Sequence, residues 1–334
     1  MNNIEVVGLG ALNLDRVYRV ERTLGDAETA AGRDMEHIPE AERKFIGSFP
    51  GGSAANTIYG LARLGVNTGF IGAVGDDDES RILLRDFEKA GVDTSQIKIK
   101  PATGTGETLC LVDNLNFRSI QVTPGANSLL NAGDIELDYL NRAGLLHISS
   151  FVDDPQLDII VQLVARLDSR VKVSFSPGSL YAARGLQTLT PLLARADILF
   201  LNESEMKQLT GAADFSSGAR RCIELGCRIV AVTLGQGIPY KSVMATSYIR
   251  TAEKEYIVEP GDKSIISALD TTGAGDAFAA GFLYGLLKDK DIEQCGRLGD
   301  TVARFSIRKI GARDGLPTLD ELSHRYHELY QREL

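Results

Sequence analysis

The chain has 334 residues, 43% of them hydrophobic, with four cysteines and a formal net charge of −9 from 45 acidic and 36 basic side chains. That acidic balance, with no long basic block, argues against a nucleic acid or an anionic bilayer as the main partner and leaves a small polar substrate. No apolar run approaches the roughly 20 residues that span a bilayer. MNNIEVVGLG lacks a leader's basic start, and Cys110, Cys222, Cys227 and Cys295 form neither a CxxC pair nor a disulfide framework, so a reducing cytoplasm is the expected location.

Ile4 to Val7 reads as a short strand running into GLGALNLD. Gly8 and Gly10 open like a dinucleotide fingerprint, but Asn13 stands where the third glycine belongs and no helix pattern follows. Asn13 and Asp15, two apart on an extended chain, project to one side. They suit the hydroxyls of a sugar, but on the residues alone a turn-forming Asn and Asp is the favoured reading. Residues 16–49 are charged and, apart from the alternating DRVYRV, irregular; a solvated loop or short helix is expected over 28–44, with His37 exposed.

FPGGSAANTIYGLARLG then changes the character of the chain. Gly51 and Gly52 permit close backbone approach, Ser53 is the expected N-cap, Ile58, Leu61, Ala62 and Leu64 mark a buried face, and Gly65 stops the helix. A strand at 68–75 and a helix at 80–90 closed by Gly91 set a β-α rhythm, which predicts a mostly parallel sheet covered by helices. Three strand-like pieces at 96–100, 105–112 and 117–122, with a turn at 114–116 and Arg118 pointing outward, interrupt it.

From Pro124 the rhythm resumes, with helices expected near 134–143, 155–167 and 186–195 and strands near 145–149, 171–175, 198–201 and 228–234. Asn202 and Glu205, in LFLNESEMKQL, share one side of a helix's first turn. A glutamate there complements the helix dipole or serves a ligand. VTLGQG, carrying Thr233, Gly235 and Gly237, ends the next strand, and a peripheral hairpin follows at 242–249 and 255–258. LDTTGAGDAFAAGFLYG, residues 269–285, runs a small-residue loop straight into an apolar helix. The orphan amides of such a helix start form an anion site, and Asp276 beside it reads equally as a carboxylate that only complements the helix dipole next to packing glycines or as a base that takes a proton during phosphoryl transfer. A helix at 291–310, the turn KIGARDGLP and a last helix complete the chain; His324 and His327 there share a face and read as surface or packing residues. The chain has no Gly-Lys dipeptide for a Walker A loop, no G-x-S-x-G elbow and no H-E-x-x-H helix.

DTTGAGDAFAAGF resembles the C-terminal signature of the ribokinase-like, PfkB-type family of sugar and nucleoside kinases. GGSAANT, N-x-D at 13–15, N-x-x-E at 202–205 and T-L-G at 233–235 stand in the family's order over nearly the whole chain. The resemblance implies a ribokinase-like three-layer α/β/α core with a mostly parallel sheet, built from 1–12, 50–94 and 124–334, and a small β lid from 13–49 and 95–123. It implies that Asp276 is the catalytic base and that Gly273, Ala274 and Gly275 form the anion hole. Asn13, Asp15, Gly51, Gly52 and Asn56 would hold the substrate. Thr233, Gly235, Gly237, Gly311 and Ala312 would hold ATP, although the glycine after T-L-G comes one residue early. Asn202 and Glu205 would hold Mg2+ through water, and Asp270 and Thr272 would border a monovalent cation such as K+. SFSPGS departs from the pattern, since many relatives carry an acidic residue near Ser176.

On this resemblance the acceptor is a small free sugar or, alternatively, a nucleoside phosphorylated by the same mechanism. A sugar- or nucleoside-binding regulator without turnover is the reading from another class. Tyr18, Phe45 and Phe49 would either cover a base or form the lid's own core. Exposed lid edges offer a route to a homodimer.

Overall fold

The computed structural model describes residues 4–21, 38–114, 118–262 and 268–334. The expectations for 28–37 with His37, for the turn at 115–116 and for the Arg118 side chain lie outside the described residues. In chain order the strands are β1 (Val6–Leu9), β2 (Asn13–Val20), β3 (Arg43–Gly51), β4 (Thr68–Val74), β5 (Asp93–Ile99), β6 (Gly106–Val112), β7 (Arg118–Thr123), β8 (Leu145–Ser149), β9 (Lys172–Ser176), β10 (Ile198–Asn202), β11 (Ile229–Tyr240), β12 (Val243–Thr251) and β13 (Glu255–Val258). The helices are α1 (Ser53–Arg63), α2 (Asp78–Ala90), α3 (Leu137–Leu140), α4 (Asp154–Arg166), α5 (Gly178–Ala182), α6 (Gly185–Arg195), α7 (Glu203–Thr210), α8 (Phe215–Glu224), α9 (Ala274–Leu287), α10 (Ile292–Ser306) and α11 (Leu319–Tyr330).

A nine-stranded sheet runs in the order β13-β12-β11-β10-β9-β8-β1-β4-β5. It is parallel from β11 through β5, with β12 and β13 added antiparallel at one edge. Strand alternation sends Val7 and Leu9 into a core under α4, α6, α7 and α8, and Val6 into a second core with α1, α9, α10 and α11. The sheet is thus covered on both faces, which is why its strands read as near-continuous apolar runs. A separate four-stranded sheet runs β3-β2-β6-β7.

Four local expectations are corrected. The piece at 96–100 belongs to β5, which pairs parallel with β4 in the large sheet and not with the small one; its alternation of polar and apolar residues gave it the look of a small-sheet strand, but it is simply the edge strand of the core. VTLGQG does not end a strand: β11 continues to Tyr240 through a register shift between Thr233 and Ile238, a bulge that the two positive-φ glycines Gly235 and Gly237 accommodate. The helix expected over 134–143 shortens to the single turn of α3 after a 3-10 turn at Ala132–Asp134. Ser53 is not the N-cap of α1, because Gly52 takes that place at φ 98° with no side-chain cap.

Candidate active site

The carboxyl ends of parallel strands, where helix N-termini also converge, are the usual ligand crevice of such a sheet. Here the end of β10, the Thr233 bulge of β11 and the start of α9 enclose a cleft of about 350 Å³ lined by Asn202, Glu205, Thr233, Gly273, Ala274, Gly275 and Asp276, together with Ser53. α9 begins at Gly273, whose φ of 73° turns the chain into the helix. The Ala274 N–H is taken by Thr271 O at 3.2 Å, and intrahelical bonding resumes with Ala277 N–H to Gly273 O. First-turn amides between them, at Gly275 and Asp276, have no acceptor within the helix.

Asp276 joins this cleft to α1. Ser53 Oγ donates to its Oδ1 at 2.7 Å, Asn56 Nδ2 donates to its Oδ2 at 2.8 Å, and Thr57 Oγ1 donates to its backbone oxygen at 3.3 Å. Burial raises its pKa to about 7; the Ser53 and Asn56 hydrogen bonds oppose the rise, the Glu205 charge adds to it and the Arg313 charge reduces it. A carboxylate poised near neutrality at a helix start is suited to taking and releasing a proton.

Asn13, Asp15, Gly51 and Gly52 lie on the other side of Asp276, where β2 and β3 meet α1. Asn13 is held by Asn127, whose Nδ2 donates to Asn13 Oδ1 at 2.9 Å. Asn127 also bonds Leu12 N, Leu12 O and Pro124 O. Asp15 stands opposite Phe49 of β3 and Thr108 of β6; burial raises its pKa to about 6 against the Thr108 hydrogen bond and the Arg313 charge. A Cβ on Gly51 would sit 2.3 Å from Asp15 Oδ2, so any larger residue there displaces the Asp15 carboxylate.

Asn202 and Glu205 form a reciprocal cap of α7. Glu205 N–H donates to Asn202 Oδ1 at 2.8 Å and Asn202 N–H donates to Glu205 Oε2 at 2.9 Å. Burial raises the Glu205 pKa and this backbone bond lowers it. Among the described residues no group of three His, Cys, Asp or Glu side chains could hold a metal, so any ion here would have to bring other ligands with it.

Asp270 clasps two loops: Thr272 N–H donates to its Oδ1 at 2.7 Å and Gly311 N–H to its Oδ2 at 3.0 Å. Gly311 and Ala312 are thereby set against the start of α9, outside the cleft lining, as are Gly235 and Gly237 in the β11 bulge. Sequence reasoning did not single out Ser53 as a partner of Asp276, nor Asn127 or Arg313 at all. Ser53 was legible, as the hydroxyl next to a glycine pair. The other two act across distances that no local pattern reports.

A family model described as pfkB family carbohydrate kinase matches residues 7–319. An uncharacterized sugar kinase of Archaeoglobus fulgidus is 42% identical over 77% of this chain and 98% of its own. The ATP-dependent ribose-1-phosphate kinase of Halopiger xanaduensis is 32% identical over 96% of this chain and 97% of its own. The adenosine kinase of Saccharomyces cerevisiae is 30% identical over 87% and 86%. Among solved structures, a probable sugar kinase from Rhizobium etli superposes with a TM-score of 0.81 at 26% identity over 98% of this chain and 99% of that one. A putative ribokinase II from E. coli in complex with ATP and Mg2+ gives 0.79 at 21% identity over 97% and 99%. With a two-face-covered parallel sheet, a crevice at its strand ends and a family match over nearly its full length, the chain belongs to the pfkB family of carbohydrate kinases.

Proposed function

We propose that this kinase transfers the γ-phosphoryl group of ATP to a hydroxyl of a small sugar, with Asp276 as general base. The observation that carries this is the position of one carboxylate between two half-sites: hydrogen-bonded to Ser53 and Asn56 on the α1 side and opening onto the cleft at the start of α9 on the other. The sugar oxygen loses its proton to Asp276 as it bonds to phosphorus, and the bond from that phosphorus to the bridging oxygen of ADP breaks. Asn13, Asp15 and Asn56 orient the acceptor, and Gly51 and Gly52 let it approach the backbone. Of the expected 273–275 anion hole the Ala274 amide is held by Thr271 O, so the first-turn amides of Gly275 and of Asp276 itself meet the charge that develops on the transferring group.

Thr233, which lines the cleft, would meet the nucleotide; Gly235, Gly237, Gly311 and Ala312, which lie outside that lining, are assigned to ATP by the family resemblance. Glu205, a carboxylate largely withdrawn from water that lines the cleft, suits a water-mediated contact to Mg2+, with Asn202 holding its orientation. When bound with the nucleotide, that ion neutralises charge on the phosphate oxygens. A monovalent cation beside Asp270 and Thr272 is a further part of this reading, and activity with K+ exchanged for a larger organic cation tests it. The small sheet, from β2, β3, β6 and β7, serves in this reading as a lid that excludes water from the acceptor, and its outer edges are the surface for a homodimer.

A free sugar is the leading acceptor class: of the three aromatics that could cover a base, Tyr18 and Phe49 are engaged within the small sheet, and Phe45, 54% exposed, is the one left to face a ligand. Tyr18 and Phe45 pack on each other at 5.2 Å between ring centroids, and Phe49 lies with Ile46, Val17, Cys110 and Val112 in a small cluster of the same sheet. The test is ADP release with ribose, fructose, ribose 1-phosphate, adenosine, inosine and cytidine, run on the native protein and on Asp276→Asn. Sugar-stimulated release that falls about 10²- to 10⁴-fold in the variant, with an unchanged melting temperature, is the expected result. The highest kcat/KM on a nucleoside would move the acceptor class and leave the base in place. Near-native turnover by Asp276→Asn would remove the base, and tight binding without turnover by the native chain would favour a regulator.

A further inference from the structure

The turn after α10, GARDGLP, holds an arginine at a position that the family-like glycines and proline around it leave unspecified. Arg313 is only 5% exposed. Its guanidinium makes three directional bonds: Nη1 to Asp86 Oδ2 at 2.6 Å, Nε to Asn56 Oδ1 at 2.9 Å and Nη2 to the Gly51 backbone oxygen at 3.0 Å. Its flat faces are covered by the rings of Tyr59 and Phe87, with the guanidinium carbon 5.3 and 5.0 Å from their centroids. A buried arginine is a costly way to close a turn, and only one of its three acceptors carries a charge.

The other two acceptors decide its meaning. An asparagine side chain offers one acceptor oxygen and two N–H donors. With the oxygen of Asn56 occupied by Arg313, the amide can face the Asp276 carboxylate only with its NH2 group, as it does at 2.8 Å. The Gly51 oxygen fixes the strand end beneath the Asp15 carboxylate. One guanidinium therefore orders both the partner of the proposed base and the floor of the proposed sugar site.

We propose that Arg313 is a positioning residue for phosphoryl transfer, acting on Asp276 through Asn56 and on the acceptor through Gly51. This rests on the assignment of Asp276 as base. The charged groups facing Asp276 are Glu205 of α7, which opposes its ionisation, and Arg313, which favours it. Loss of the guanidinium charge therefore raises the pH at which the base becomes competent, in addition to loosening Asn56.

The test is a double-mutant cycle on kcat with Asn56→Ala and Arg313→Gln, together with the pH profile of kcat for Arg313→Gln and Arg313→Lys. Arg313→Gln is expected to lower kcat about 10- to 10²-fold with the KM for ATP unchanged. Added to Asn56→Ala it should cost less than threefold more, because the two act as one unit. The acid limb of the profile should move to higher pH in Arg313→Gln. It should stay in place in Arg313→Lys, which keeps the charge while kcat still falls for want of the planar fork. Multiplicative losses with an unmoved acid limb, accompanied only by a lower melting temperature, would make Arg313 a structural tie between the turn and α2 and overturn the proposal. If Arg313→Gln does not fold, the cycle is run with Arg313→Lys and the same criterion of additivity decides. Turnover retained by Asp276→Asn sinks the base assignment itself; an inactive Asp276→Asn alongside an additive cycle sinks only the role of Arg313.

Discussion

The two sides of the candidate site are built by different means. On the cleft side, Asn202 and Glu205 cap each other three residues apart, Thr233 stands at the bulge of β11, and Gly273 to Asp276 are consecutive. On the α1 side every orientation comes from far away: Asn127 holds Asn13 across 114 residues and Arg313 holds Asn56 across 257. The cleft side is a set of local backbone devices that almost any sequence with those caps would make. The α1 side is a side-chain network whose members depend on the whole fold being in place. Damage to the first should therefore change the response to nucleotide and ion, and damage to the second should change the acceptor's kinetics.

The largest expected effect breaks the second side at its tightest point. In Gly51→Ala the new Cβ lies within 2.5 Å of all three Asp15 carboxylate atoms, so Asp15 must move by about an ångström, a displacement that costs about 10²-fold in kcat/KM for the acceptor. Gly51 has no positive φ, so folding should be little affected, and the KM for ATP should hold. Steady-state kinetics with each substrate varied in turn checks both. Unchanged acceptor kinetics would take Asp15 out of the site.

Asn127→Ala probes the same side through stability. At 2% exposure the amide oxygen accepts from Leu12 N–H and the NH2 group shares its two protons among Leu12 O, Asn13 Oδ1 and Pro124 O, and removing it strands buried partners, at a cost of roughly 2–3 kcal/mol. The urea midpoint should fall accordingly. The KM for the sugar should rise several-fold as Asn13 loses its support. Loss of stability with no change in that KM would separate Asn13 from acceptor binding.

This division also explains what could be read in advance. The parallel sheet, α1, α2 and the helices on both faces followed from apolar periodicity, and the start of α9 from its glycines and alanines. Asn202 and Glu205 were legible because a cap is a three-residue pattern. Arg313 and Asn127 were not, since a buried polar residue in a turn looks the same in sequence as an exposed one. β5 was misplaced for a related reason: an edge strand of the large sheet carries the polar, half-exposed pattern of a small-sheet strand, and only its pairing with β4 tells them apart.

Proton linkage gives a smaller effect that bridges the two sides. Asp276 and Asp15 have folded pKa values of about 7 and about 6, both raised chiefly by burial from 3.8. Between about pH 4 and pH 7 the folded state keeps protons that the unfolded chain has shed, so these two groups make stability fall as pH rises through that window and add no slope above it. Asp276→Asn removes one of them. The loss of urea midpoint between pH 4.5 and pH 8 should be smaller in the variant than in the native protein. An equal loss would mean that Asp276 is no more protonated in the folded chain than in the unfolded one.

The smallest effect sharpens the comparison on the cleft side, where capping and ion binding compete to explain the same residue. Glu205→Gln keeps an oxygen for the Asn202 N–H, so the reciprocal cap survives. What it loses is the charge. If the cap is all that Glu205 provides, the Mg2+ concentration for half-maximal activity stays where it was. If its carboxylate supports the ion through water, that concentration should rise about tenfold, in line with the loss of an outer-shell partner. A second consequence follows from the same charge. Glu205 opposes the ionisation of Asp276, so its removal should carry the acid limb of kcat to lower pH, opposite to the shift expected for Arg313→Gln. A Mg2+ titration and a pH profile on one variant thus separate the readings. Movement of both supports a carboxylate shared by ion and base. Movement of the acid limb alone leaves Glu205 an electrostatic neighbour with no ion to hold, and movement of neither leaves it a helix cap.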